Sequence, residues 1–524
     1  MKKIYKIQIL AACLLLFAFT SCIKDLDTEP KSESILLPEA AWAKAETYNQ
    51  FMAKMYASFA LSGNEGPSGM HDIVGADQGE ATFLRSYWNL QELTTDEAVC
   101  AWSDDGLSGL QYCNWTSSNR FCELSYNRML LNVAYVNEFL RQTTDEKMNA
   151  RGIDAATQEA VRTYRVEARA IRAMNYYFLI DLFANIPYID EADGVGAFLP
   201  EQKNRAFFFP WIETELKACE GYLPTKSAAN YGKVNDPTVC MVLAKLYMNA
   251  EVYIGQPKYT EALTYLNKVI AAGYVLEPVY KHMFGADNDS STEIIFPIIF
   301  DGKRATTYGG TTYLMAGAYA SDMSPATNFG LVQNWSGIRA KETLSSLFTV
   351  GDNRALFWKD DRTQDTRSLN DFKSGWSVIK YTNVKSDGTF GSDLTFPDTD
   401  FPLYRLADAY LMYAEAVLRG GQGGDRPTAL GYVNDIRNRA DAGTIGDMQL
   451  TLEFIIAERA RELYWEGHRR TDLIRFNMFT ANYAWPWKNG VYTGTTSLDS
   501  KYKIFPIPAA ELTANSNIKQ NTGY

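Results

Sequence analysis

The chain has 524 residues, 46% of them apolar and 22% charged, with a formal net charge of −11. That length accommodates two or three average domains or one large repeat-rich unit, and the composition is that of a folded protein with a large core. A net acidic surface argues against nucleic acid, whose phosphates require basic patches, and against electrostatic attachment to anionic membranes.

Residues 1–21 read as an export signal. Lys2, Lys3 and Lys6 precede a mostly apolar run from Ile7 to Phe19, shorter than the roughly 20 apolar residues of a spanning helix and of signal-core length. The run ends in Ala18-Phe19-Thr20-Ser21-Cys22. Small residues before a cysteine resemble a bacterial lipobox, in which Cys22 carries lipid and becomes the first mature residue. The alternative is an ordinary secretory signal with an incidental cysteine. Loss of the three leader lysines moves the formal charge from −11 to −14. Residues 22–35 are charged, interrupted by Pro30 and without periodicity, which predicts an extended tether. Outside the cell there is no ATP or nicotinamide pool, so binding or hydrolysis is favoured.

Helical periodicity dominates the part from 36 to 280. It predicts helices over Phe121 to Arg141, Thr157 to Leu182 and Trp211 to Tyr222. Between Ala168 and Phe178 apolar residues recur at three and four, leaving Arg169 and Arg172 on another face. Asn185-Ile186-Pro187 ends that helix, because a residue before proline avoids the helical region. Pro237 to Tyr253 and Tyr259 to Ala272 form a predicted helix–turn–helix, with Pro237 in the first turn behind Asp236 as the capping residue. Ala244, Tyr247 and Ala250, then Tyr259, Ala262 and Leu266, resemble the small-and-aromatic pattern of tetratricopeptide repeats.

From 281 to 524 the chain changes character. Gly, Thr, Ser, Asn and Asp rise up to about Pro402, and only short β-like runs such as Ile294 to Phe300 are expected in this loop-rich insert. Helix returns over Leu403 to Arg419, Pro427 to Arg439 and Leu450 to Phe476. The tail from Tyr502 to Tyr524 is polar and irregular apart from Ile504 to Pro508. The expected fold class is mostly α, with both parts forming one unit.

Of seven cysteines, Cys100, Cys113, Cys122, Cys219 and Cys240 remain beyond the lipobox, an odd number with no CxxC spacing. A disulfide framework or zinc site is not indicated, though one incidental disulfide is left open. His71, His282 and His468 are widely separated and form no HExxH. Aromatics are the compositional excess, at 13%. Sugars present flat C–H faces that pack on rings, but a large helical core also consumes aromatics, and composition leaves the two readings level.

Candidate chemistry is thin. A hydrolase needs a placed carboxylate pair with one acid tuned upward. Asp96-Glu97, Asp104-Asp105 and Asp360-Asp361 are available, but adjacent acids are commonly solvated turns or caps. Glu458, Glu462 and Glu466 stand at i,i+4 spacing on one predicted helix face, among Arg459, Arg461, Arg469, Arg470 and Arg475; ion pairing is favoured over a carboxylate metal cluster, since no Glu-x-x-His accompanies them. Asp287-Asn288-Asp289 with Glu293 offers oxygen ligands for a structural calcium ion, without the EF-hand glycine or spacing. No other cofactor is indicated. Gly309-Gly310 bends a loop and exposes Tyr308, with no lysine in phosphate-loop spacing.

Several segments together resemble the SusD/RagB family of outer-membrane lipoproteins: Leu90 to Glu97, Glu167 to Ala173, Tyr404 to Ala416, Glu462 to Phe476, the closing Ile507-Pro508, and Gln520 to Tyr524. The acidic residues after Cys22 likewise resemble the family's surface-export signal. The resemblance runs the length of the chain and is strongest to the family's starch-binding member, through Asp77 to Glu80, Ala101-Trp102, Asp301-Gly302, Tyr308 to Gly310, and Asn334 to Ser336. It implies an aromatic arc of Trp102, Tyr308 and Trp335 cradling an α-glucan, with Asp77, Arg85 and Asp105 hydrogen-bonding sugar hydroxyls. Two departures stand out: that member has tryptophan where Cys100 stands and asparagine where Asp105 stands. The segment around Leu347 to Trp358 is also shorter.

Three rings from distant segments with one or two charged partners suit a curved oligosaccharide. Together with this, the resemblance implies non-catalytic capture of starch or malto-oligosaccharides at the outer membrane, facing outward, for a SusC-like TonB-dependent transporter. The competing readings are a surface glycoside hydrolase and a binder of another glycan.

Overall fold

The computed structural model describes residues 38–73, 78–194, 196 and 198–524. The predicted leader, Cys22, the tether up to residue 35 and Asp77 lie outside the described residues.

The molecule is mostly helical. The helix Arg120–Gln142 packs on Ala155–Phe183, which lies against Arg205–Cys219. That helix touches Asp236–Met248, and the stack continues through Tyr259–Ala271 and Leu406–Leu418 to Arg426–Arg439 and Leu452–Leu463. Neighbouring helices thus pack pairwise in the manner anticipated from the small-and-aromatic pattern. Residues 237–248 are all buried, so the Asp236–Met248 helix sits at the centre of the stack, apolar on most of its circumference with Lys245 paired to Asp408.

The starts of these helices are written locally. Asn119, Asp154, Asn204, Asn235, Asp425 and Thr451 each accept a backbone N–H of the helix that follows, a cap contributing about 1 kcal/mol. One cap differs from expectation. Asn235 caps the Asp236–Met248 helix by accepting from Thr238 N at 2.9 Å, while the Asp236 carboxylate turns away to the N–H of Gly221 at 3.0 Å. The expected single helix to Tyr253 breaks at Asn249 and resumes as Ala250–Ile254.

Two further boundaries move for tertiary reasons. Residues 403–405 are strand rather than helix: Phe401–Arg405 pairs antiparallel with Ile294–Ile298, Ile294 opposite Arg405, and the loop-rich insert springs from this pair. The helix expected from Leu450 to Phe476 splits into Leu452–Leu463 and Arg469–Arg475. Between them Trp465 (φ 63°) and Gly467 (φ 77°) reverse the chain. The freed amides are taken by two buried acids from another segment: Glu97 accepts Trp465 N at 3.2 Å, and Glu92 accepts Gly467 N at 2.6 Å.

Because of that break, Glu466 does not share a helix face with Glu458 and Glu462. All three are spent on cations. Arg354, Arg437 and Arg461 hold Glu458. Arg405 and Arg439 hold Glu462, and Arg405 and Lys380 hold Glu466. Against the upward push of burial, Arg439, Arg405 and Arg354 keep the Glu462 carboxyl far below the usual carboxylate range. The three acids are ion-pair partners as expected, but of the arginines in their own segment only Arg461 takes part; the other cations come from elsewhere in the chain.

Among the described residues no helix is long and apolar enough to cross a membrane. Cys100, Cys113, Cys122, Cys219 and Cys240 are all free and buried.

Candidate functional site

The expected ring residues come from three separate loops and are brought together. The strand Ala98–Cys100 pairs antiparallel with Ile338–Ala340, and Ala101 N donates to Gly337 O at 2.9 Å. This delivers Trp102 onto Gly337. The glycine is required there, since a Cβ would lie 2.2 Å from the Trp102 ring. The Trp102 indole Nε1 then donates to Trp335 O at 3.2 Å.

Trp335 and Tyr308 are mounted on the same nine-residue helix, Gly310–Ala318. Trp335 N donates to Ala316 O at 2.7 Å near its C-terminal end. Tyr308 precedes its N-terminal end, where Gly79 (φ 78°) allows a close backbone crossing; a Cβ on Gly79 would lie 2.2 Å from Gly309 N. Gly310, at φ 59°, makes the bend anticipated from the glycine pair.

The rings form a continuous bent series. Centroids of Trp102 and Trp335 are 6.2 Å apart with planes at 54°, and those of Trp335 and Tyr308 are 6.4 Å apart at 46°. A fourth ring continues it: Phe396 lies 5.2 Å from Tyr308 at 59°. No step is parallel, so the half-buried rings present a curved rather than a flat surface. Buried Tyr313 supports Trp102 from behind at 6.0 Å, its hydroxyl donating to Asn89 Oδ1 at 2.6 Å.

Arg85 stacks its guanidinium 4.6 Å from the centroid of Tyr313. It is only 7% exposed, and among the described residues its Nε has no hydrogen-bond partner. Leaving a buried donor unpaired costs about 1–3 kcal/mol. Asp105 is exposed in the turn after Trp102, beside exposed Asp104. Cys100, where the resemblance expects a tryptophan, is 1% exposed, and burial pushes its thiol up to about 12.

The other candidate acids have different fates. Asp96 is buried and bidentate with Arg469, at 2.8 Å to each oxygen, and also accepts from Tyr483. Neither it nor Glu97 is the solvated turn that adjacency suggested. Burial, together with the Glu92 charge, pushes Glu97 well above the usual carboxylate range, and burial raises Glu92 to about 7. Asp360 and Asp361 are exposed, Asp361 pairing with Lys373.

The calcium candidates do not converge. Asp287 accepts from Ser386 N and Oγ. Asn288 exchanges hydrogen bonds with the backbone of Asp400, and Glu293 is bound to Arg405 at 2.8 Å and Arg439 at 3.0 Å. Asp287 and Asp289 border a cavity of about 600 Å³ that is also lined by Lys303, Arg304 and Lys385. Among the described residues no three His, Cys, Asp or Glu side chains gather as a cation site.

Sequence reasoning missed Phe396 and Gln333. Phe396 is a lone aromatic in a polar loop. Gln333 joins two ring-bearing loops, its Oε1 accepting from Trp335 Nε1 at 2.9 Å and its Nε2 donating to Thr395 O at 3.0 Å. The cue was proximity in space, of Phe396 to Tyr308 and of Gln333 to Trp335, which a linear reading does not supply.

Comparison with known proteins bears on this arrangement. The SusD family model matches residues 318–524. Over its full length the chain is 33% identical to the starch-binding protein SusD of Bacteroides thetaiotaomicron, with 100% of both chains covered. It is 24% identical to SusD-like protein P2 of Formosa agariphila, over 73% of this chain and 78% of the relative. Among solved structures, surface glycan-binding protein A from Bacteroides thetaiotaomicron in complex with laminarihexaose superposes with a TM-score of 0.67 at 20% identity, covering 91% of this chain and 99% of that one. The Bacteroides fluxus protein of the same description gives 0.69 at 21% identity, covering 92% and 100%. These two share the fold.

Proposed function

Because this chain belongs to the SusD family, we propose that it is a non-catalytic glycan-binding lipoprotein of the outer-membrane surface that captures starch or malto-oligosaccharides for a SusC-like TonB-dependent transporter. The observation that carries the reading is the meeting of Trp102 with Trp335 and Tyr308, which lie more than 200 residues further along the chain, in one bent series of half-buried rings. Core aromatics are fully buried; these three are only half-buried. A curved ring surface suits a helical α-glucan, whose sugar faces turn progressively along the chain.

In this reading Arg85 and Asp105 orient sugar hydroxyls, joined by Asp77. The starch assignment draws on the 33%-identical relative that is named for starch. Affinity at a single site is expected to be weak, roughly micromolar to millimolar, because few atoms are desolvated. A lipid on Cys22 and the tether behind it raise the effective concentration beside other binding sites.

Affinity electrophoresis tests the reading. The protein should be retarded in amylopectin gels and pass freely through dextran and xylan, and Trp335→Ala should abolish the retardation. Retardation by dextran or xylan alone would change the ligand. Sustained release of reducing ends from amylose, abolished by one Asp or Glu substitution, would replace binding with hydrolysis.

A further inference from the structure

We infer that Phe396 is a fourth platform ring, and that it gives the site a preference for longer oligosaccharides; the inference rests on the glycan-binding reading above. The ring is the direct continuation of the series, closer to Tyr308 (5.2 Å) than any of the other rings are to one another, and tilted by the same order of angle. It is half-buried, in a loop whose remaining residues are largely polar.

That loop is held before any ligand arrives. Asp393 Oδ1 accepts the N–H groups of Thr395 at 2.6 Å and Phe396 at 3.1 Å. Asn383 donates to Asp393 O at 2.8 Å and accepts from Asp398 N at 3.1 Å. Asp398 in turn accepts from Ser392 Oγ at 2.7 Å and Gly302 N at 2.8 Å. Gln333 ties Thr395 to Trp335. A ring fixed by side-chain hydrogen bonds on both flanks costs little ordering entropy when a ligand packs on it.

The loops that carry the series also expose apolar side chains. Val332 is 48% exposed and Leu394 37% exposed, and Val332 N donates to Leu394 O at 2.8 Å. The series therefore continues past Tyr308 to Phe396. A ligand long enough to pass Tyr308 meets Phe396 next, whereas a short one can be satisfied by Trp102, Trp335 and Tyr308 alone.

The test is calorimetric titration of the mature full chain with maltotriose and with maltoheptaose, for wild type, Trp335→Ala, Phe396→Ala and Phe396→Leu. Loss of one aromatic contact should weaken maltoheptaose about threefold to tenfold in the Phe396 variants, with maltotriose changed less than about twofold, so that the length preference collapses. Phe396→Leu keeps apolar volume against Tyr308 and remains readable if the alanine variant fails to fold. If wild type binds neither sugar, the starch reading and this inference fall together. If wild type binds, Trp335→Ala does not, and both Phe396 variants keep wild-type affinity for maltoheptaose, the inference alone falls.

Discussion

The indole of Trp102 donates to the main-chain oxygen of Trp335 at 3.2 Å, across 233 positions of sequence. One ring is thereby fastened to the backbone of the next, and the pair behaves as a unit. Trp102→Phe keeps an aromatic face but strands that carbonyl. It should cost about 1 kcal/mol of stability and a severalfold loss of glucan affinity, read by urea unfolding and calorimetry. An unchanged affinity would mean that the indole nitrogen does not set the ring's pose.

Gly337→Ala is the sharper probe. Its Cβ would fall 2.2 Å from the Trp102 ring, so the indole must leave its place. Overpacking typically costs about 1–3 kcal/mol, which a large domain survives, while glucan binding should drop by about tenfold or more as the platform loses a ring. Near-ultraviolet circular dichroism should report the displaced indole.

Arg85 separates stability from binding. Its buried Nε has no partner among the described residues, so Arg85→Met removes an unmet donor, together with the guanidinium stacked on Tyr313, while keeping an apolar side chain in its place. Unfolding free energy should stay within about 1 kcal/mol of wild type or rise, and glucan affinity should fall. A large loss of stability would show that the guanidinium serves the fold.

The buried Glu92–Glu97 pair predicts a pH signature. Both acids are raised from an ordinary 4.5, Glu92 to about 7 and Glu97 well above. Between pH 4.5 and 7 the folded chain binds more protons at this pair than the unfolded chain, so its contribution falls as pH rises. The slope reaches about 1.4 kcal/mol per pH unit for each proton held. Buried His468, lowered to about 3 mainly by burial, has the opposite slope below its ordinary pKa and is common to wild type and variant. Denaturant titrations of wild type and Glu97→Gln at about pH 5 and 7.5 cancel it. The variant should gain on wild type as pH rises.

The helical stack was legible because its signals are local. Asn119, Asp154 and Asp425 cap the helices that follow them, and the apolar spacing behind each fixes the buried face. The boundaries that moved, at Arg405 and Trp465, are set by a strand partner and by the buried acids Glu92 and Glu97, all remote in sequence. The site divides in the same way. Trp102, Tyr308 and Trp335 were reachable through motif resemblance, whereas Phe396 and Gln333 are defined only by which loops fold beside Trp335.

The helix Gly310–Ala318 carries Tyr308 before its first turn and holds Trp335 at its last. It therefore works as a gauge. One residue added or removed within it would advance one end by about 1.5 Å and rotate it by about 100°, turning one ring out of line with the other while both loops stay intact. The pitch of sugar chain that the surface accepts is then set by the length of a buried helix that never meets the ligand, and relatives could retune it there without altering a single contact residue.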